Sequence, residues 1–212
     1  MSAAGPEATA LEVVTRTWAY LRARSQAGPG YRPDHVGIAA CRIAQQAGRA
    51  FGLWLRPRPV QAMVANPVAH AAIVGGMQDL RTQASSFFGR QGAEPDWPQE
   101  AVMAFSNDTP AQAGGYPGHL VLTLCNGADT LLADPSLPRF QRPGLEITAP
   151  LLGTLPGPDL QGVAVFHTGD AVVSYHPYDD RGAFRLSADW KQWRPRYRQA
   201  VGAIVRQVRR GA

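Results

Sequence analysis

Residues 118 to 134 constrain this chain more than any other stretch. Gly118-His-Leu-Val-Leu-Thr-Leu-Cys125 and Ala128-Asp-Thr-Leu-Leu-Ala-Asp134 are two apolar runs separated by Asn126-Gly127. Asn-Gly between such runs is the strongest short hairpin signal, because both residues tolerate the positive φ that a tight reversal needs. With Asn126 and Gly127 as the turn, Cys125 opposes Ala128 and His119 opposes Asp134. Directly opposed side chains have Cβ atoms about 5 Å apart, within reach of an imidazole-to-carboxylate hydrogen bond that fixes one histidine tautomer. The plain alternative is a polar pair capping a sheet end. The face it shares is otherwise apolar (Val121, Leu132), a setting in which a tuned pKa is expected.

Such a pair lacks a nucleophile, and Cys41 is the candidate. Cysteine catalysis needs a thiolate, a base beside it and a group that orients the base. Cys41 falls within a turn or so of the start of an expected helix, where the helix dipole favours a thiolate. The alternative is a small buried hydrophobe among Ala39, Ala40 and Ala44, the common fate of a free cysteine. Cys125 is the rival thiol, but six residues of strand put it roughly 20 Å from His119, and it reads as a core cysteine near the turn. Acyl transfer also needs oxyanion donors. His35 is the side-chain candidate, Tyr31 a weaker one, and an exposed loop histidine is the alternative for His35.

Other chemistries find little support. His70 has no ligand partner at i+3 or i+4, and the Gly169-Asp170 turn pairs His176 with Val163 rather than His167, so no metal site is expected. The two cysteines lack C-x-x-C spacing. Without G-x-G-x-x-G, G-x-x-x-x-G-K-[ST] or G-x-S-x-G, no dinucleotide, P-loop or serine-hydrolase reading follows, and no cofactor is expected. The start of the chain has no export-signal pattern, and no apolar run approaches the ~20 residues that span a bilayer; a cytoplasmic setting without a membrane is expected. The net charge of +5 is a C-terminal property: Lys191, Arg194, Arg196, Arg198, Arg206, Arg209 and Arg210 face Asp189 alone. The nearby aromatics lie on an apolar stripe, so a core-packing helix with a solvated basic face is expected and nucleic acid is not.

At 212 residues, with 45% hydrophobic content, one domain is the expectation. Periodicity predicts helices over about 10 to 25, behind a Thr9-to-Glu12 capping box, and about 38 to 51. Strands are expected at 59 to 65 and near 101 to 106, with Asn66-Pro67 ending the first. Residues 68 to 90 have helical composition broken by Gly75-Gly76. Prolines between 135 and 158 predict an irregular connection, followed by a second hairpin, 161 to 167 and 171 to 176, turning at Gly169-Asp170. A final helix begins near 194. The sum is an α+β fold, an antiparallel sheet packed against an N-terminal nucleophile helix and flanking terminal helices.

Gly37-Ile-Ala-Ala-Cys41 leading a helix, Arg58 to Val64 as the next strand, Gly118-His119 on another and Leu131-Leu-Ala-Asp134-Pro135 with Arg139-Phe140 after it together resemble a small bacterial member of the transglutaminase-like superfamily. The resemblance covers about residues 35 to 145, with the hairpin and helix of 160 to 210 completing the domain. It implies a helix-borne Cys41 facing adjacent strands that carry His119 and Asp134, and thiol attack on a peptide or small-molecule amide or ester through a thioacyl intermediate. Hydrolysis and transfer to an amine both stay open, as does oligomeric state. The arginine-and-glycine signature of arylamine N-acetyltransferases is missing, which makes acetyl-coenzyme A chemistry the lesser option. The alternative function is a catalytically inactive binding module that keeps the fold.

Overall fold

A computed structural model describes residues 5–26, 36–75, 100–106, 116, 118–191 and 195–211. Helix α1 (Pro6–Gln26) begins four residues before the expected start. Pro6 takes the first position, where its missing N–H is no loss. Thr9 is therefore inside the helix and returns its hydroxyl to the Gly5 carbonyl at 3.1 Å. Helix α2 (Val36–Arg49) ends before Gly52, which adopts φ +75°. Asn66 caps α3 (Pro67–Gly75), its Oδ1 accepting from the Ala69 amide at 2.9 Å; the rest of the 68 to 90 stretch lies outside the described residues. Helix α4 (Pro195–Gly211) again opens on proline.

The strands β1 (Arg56–Ala65), β2 (Met103–Phe105), β3 (His119–Asn126), β4 (Asp129–Asp134), β5 (Leu151–Pro156), β6 (Ala164–Thr168) and β7 (Ala171–Pro177) form one antiparallel sheet in the order β5-β4-β3-β1-β7-β6. β2 pairs with β1 over Met63 to Ala65, while β3 pairs with β1 over Arg56 to Val60. Since β7 occupies the other edge of β1, β2 and β3 lie end to end along one edge. His119 opens β3 at that break, opposite Val60.

Two elements exceed their sequence signals. β1 runs through Pro57 and Pro59, residues that ordinarily demote a strand. β7 ends opposite Val60, so from Pro59 back that edge of β1 needs no ladder donor, and the Pro59 carbonyl accepts from the Tyr178 amide at 3.2 Å. The proline-rich connection is more ordered than its composition suggests. Its 3-10 turn Leu137–Phe140 is buried, and β5 forms an edge strand where a terminal proline is tolerated.

Helices α1, α2 and α4 cover one sheet face, packing Val14, Ile43 and Ile204 against Leu120, Leu122 and Leu131. On the opposite face Leu137, Phe140, Leu145 and Ile147 cover Val60, Val121, Leu132 and Tyr175. The basic residues Arg206, Arg209 and Arg210 of α4 are exposed and Ala200, Ile204 and Val208 buried. The architecture is the expected α+β one, with a helix at each terminus. Among the described residues no helix is long and apolar enough to cross a membrane.

Candidate active site

The first hairpin forms, but two residues from the expected register. Asn126 pairs with Asp129 and the turn is Gly127-Ala128. Gly127 carries φ +67° and Ala128 has no positive φ, which matches a II′-type reversal with glycine first. A slip of one residue would have sent every side chain to the other face; a slip of two keeps the face and changes only the partner. Asp134 is therefore a diagonal neighbour of His119, a separation that long side chains still bridge. The contact survives, with His119 Nε2 2.7 Å from Asp134 Oδ2.

Asp134 is fully enclosed and accepts four hydrogen bonds. The Tyr175 hydroxyl donates to Oδ2 at 2.8 Å, and the Ser136 amide and hydroxyl donate to Oδ1 at 2.9 and 3.0 Å. Burial alone would raise its pKa, yet His119, Ser136 and Tyr175 outweigh burial and hold the carboxyl below its ordinary range. It is the fixed anion of the site. Burial pushes the His119 imidazole down, against the pull of Asp134 and with help from Arg139. A neutral ring that donates from Nε2 carries its lone pair on Nδ1. Among the described residues that Nδ1 is buried and without a hydrogen-bond partner. The ring lies nearly parallel to Tyr175 (6.3 Å between centroids, 8°) and tilted against Phe140 at 5.4 Å.

Cys41 belongs to the same neighbourhood. Its thiol donates to the carbonyl of Leu120, the residue after His119, at 3.1 Å. It is not hydrogen-bonded to His119, since Nδ1 has no partner. Burial first, and the Asp134 charge second, push the Cys41 thiol up, with Arg139 opposing. This corrects the expected resting thiolate. Cys41 is the sixth residue of α2, beyond the first turn in which the dipole acts, and is fully enclosed.

His35 and Tyr31, the oxyanion candidates, lie outside the described residues. Cys125 is exposed rather than in the core: it pairs with Thr130 one step from the Gly127-Ala128 tip, and by alternation it lies on the strand face opposite Leu122 and Leu124, which pack on the helices. Among the described residues no three His, Cys, Asp or Glu side chains gather to hold a metal.

Three residues were missed as part of the site. Ser136 carried a readable signal, since an aspartate two residues before a serine commonly closes an Asx turn. Tyr175 carried none, because the β1-β7 pairing that delivers it is nonlocal. Arg139 reaches the site from the 3-10 turn. Its Nη2 donates to the Ser106 carbonyl at 3.4 Å, its guanidinium lies 4.8 Å over the Phe140 ring, and its charge acts on Cys41, His119 and Tyr175. Comparison with family models, curated proteins and solved structures gave no match.

Proposed function

We propose that the protein is a cysteine-dependent acyl-transfer enzyme, transglutaminase-like in the layout of its residues, with Cys41 as nucleophile, His119 as general acid and base and Asp134 as the carboxylate that orients the imidazole. One observation carries the reading. The Nε2–Oδ2 hydrogen bond leaves Nδ1 as an enclosed, unpaired acceptor on the residue next to the carbonyl that holds the Cys41 thiol. An unmatched lone pair in a dry interior costs stability whatever it does, and its place beside the Cys41 thiol fits a use as proton acceptor. Tyr175 and Ser136 act as positioning residues, holding the carboxylate that holds the ring.

The steps balance on these groups. Cys41 gives its thiol proton to Nδ1 as sulfur bonds to the carbonyl carbon of an amide or ester, and the C=O pair moves onto oxygen. The oxyanion collapses, the C–N or C–O bond breaks, and the leaving group takes the proton from Nδ1. Water or an amine then gives a proton to Nδ1 while attacking the thioester, and the departing sulfur recovers it. Because the neutral thiol is the resting form, proton transfer accompanies attack rather than preceding it.

A p-nitrophenyl acetate burst tests this. The expected result is about one equivalent of nitrophenolate with a hydroxylamine-labile acetyl group on Cys41, absent in Cys41→Ala and slowed roughly 10³-fold or more in His119→Ala. Acetylation confined to the exposed Cys125, or a burst that persists in Cys41→Ala, refutes it. The complete enclosure of Cys41 favours the second reading, a non-catalytic binding module, in which no acyl group ever appears on Cys41.

A further inference from the structure

Gly37 and Cys41 are four residues apart on α2, hence on one helix face with Cβ positions about 5–6 Å apart. Helical side chains tilt toward the N-terminus, so the Cys41 side chain leans toward the turn that carries Gly37. The glycine leaves a notch there, and Arg139 occupies it. A carbon built at Gly37 would lie 2.9 Å from Arg139 Nη1 and 3.6 Å from Ser136 Oγ. Any side chain at Gly37 would drive the guanidinium away from the cysteine's turn. The cation is further fixed by the Ser106 carbonyl at the end of β2 and by the face of Phe140, which itself packs on His119.

The resting thiol needs no cation, because it donates to the Leu120 carbonyl. A thiolate has no proton to donate and would face that carbonyl's lone pairs, so once deprotonated the sulfur has reason to leave. We propose that Arg139, lodged in the Gly37 notch, is the group that holds the Cys41 sulfur when it carries negative charge, during attack and again as it departs from the thioester. The inference rests on Cys41 being the nucleophile. Leu120 and Arg139 then serve the two protonation states of one sulfur. The other ionisable groups around it are Asp134 on β4, which repels a thiolate, Tyr175 on β7, His119 on β3 and Arg42 on α2 itself. Arg139 is the cation set on the side toward which Cys41 leans.

Iodoacetamide labelling of the intact chain from about pH 7 to about pH 11.5, read at Cys41 and Cys125 separately by mass spectrometry, tests Arg139 without reference to any substrate. Arg139→Gln should raise the Cys41 midpoint by about one pH unit or more and leave Cys125 alone; Arg139→Lys should restore part of the shift. Gly37→Ala, which displaces the guanidinium without removing it, should give an intermediate shift and covers the case in which Arg139→Gln fails to fold. Unchanged Cys41 midpoints in folded Arg139→Gln and in Gly37→Ala overturn the assignment, as does a Cys41 that stays unlabelled throughout while Cys125 reacts. The acetylation burst keeps the two ideas apart. A normal burst with unmoved midpoints removes Arg139 and leaves Cys41 as nucleophile, whereas a midpoint that follows Arg139 with no burst removes the enzyme and leaves the ion pair.

Discussion

Around Asp134 every partner of the carboxylate is out of water, whereas a cleft of about 530 Å³ beside Arg58 leaves its ions wet. The two are close along one strand: Val60 opposes His119, and Arg58 lies two residues earlier on the same face of β1. In the buried cluster one carboxylate answers four donors. In the cleft, Arg58 and Asp159 form an ion pair with about a third of each side chain exposed, and Asp180 closes its own loop onto the amides of Gly182 and Phe184. A buried group cannot recover solvent when its partner is removed, so the same kind of contact is energetically decisive in one place and minor in the other.

The largest effect should therefore follow Asp134→Ala. It leaves the His119 Nε2–H, the Tyr175 hydroxyl and the Ser136 donors enclosed without their acceptor. Loss of one partner from a buried hydrogen-bonded ionic group costs about 3–5 kcal/mol, so the urea midpoint should fall far while the slope stays the same. Asp134→Asn keeps the volume and one acceptor oxygen and should recover part of the stability but none of the acylation rate. A loss in Asp134→Ala below about 1 kcal/mol would mean that the cluster takes in water, and the contrast with the cleft would fail.

How far the site was legible follows from the same contrast. The His119–Asp134 contact was readable because hairpin pairing is local and the face of a strand survives an error of two in register. The register itself was missed since Asn126-Gly127 and Gly127-Ala128 are both good turns, and the choice between them rests on pairing with β5 and β1 as much as on turn chemistry. The second hairpin had one strong turn, with Gly169 at φ +57°, and its pairing of Thr168 with Ala171 agrees with the expected register. Tyr175 and Arg139 could not be read at all. The first depends on β7 lying beside β1, the second on a buried 3-10 turn in a stretch whose prolines suggest irregularity. For Cys41, sequence found the helix and offered both a helix-tip thiolate and a small buried residue among alanines; the enclosure matches the second description, and its completeness depends on helices distant in sequence closing over one face.

The next effect is the pH dependence of stability. His119 is held below its ordinary pKa, so as pH falls below about 6.5 the unfolded chain takes up a proton that the fold refuses, and stability falls at up to ~1.4 kcal/mol per pH unit. Half-buried His176 is also pushed down by burial and acts in the same direction. Asp134, likewise held low, stabilises above the ordinary carboxylate range, and that contribution disappears as pH falls through its own depressed value. Cys41 acts in the opposite sense. Its raised pKa keeps the proton in the fold while the unfolded thiol loses it above about pH 8.5, so stability declines as pH rises. Urea midpoints should peak between about pH 6.5 and pH 8.5; His119→Gln should flatten the acid side in part, and Cys41→Ala the alkaline side. A level midpoint from pH 7 to about pH 5 would mean that His119 takes up its proton in the fold as readily as in the unfolded chain, and the claim that burial holds the ring neutral would fail.

The smallest effect belongs to the cleft. Arg58 reaches Asp159 across a hundred residues of sequence, yet both side chains keep contact with water, so much of the attraction is returned as hydration when the pair separates. A double-mutant cycle of Arg58→Ala and Asp159→Ala should give a coupling of about 0.2–1 kcal/mol, shrinking further as salt rises toward about 1 M. The same salt series applied to Asp134→Ala should leave its penalty nearly unchanged, because screening ions do not enter an enclosed site. A coupling in the cleft that rivals the Asp134 penalty and ignores salt would show that Arg58 and Asp159 are as dry as the cluster across the strand from them. The line between the two regions would then lie elsewhere than at the two residues that separate Arg58 from Val60.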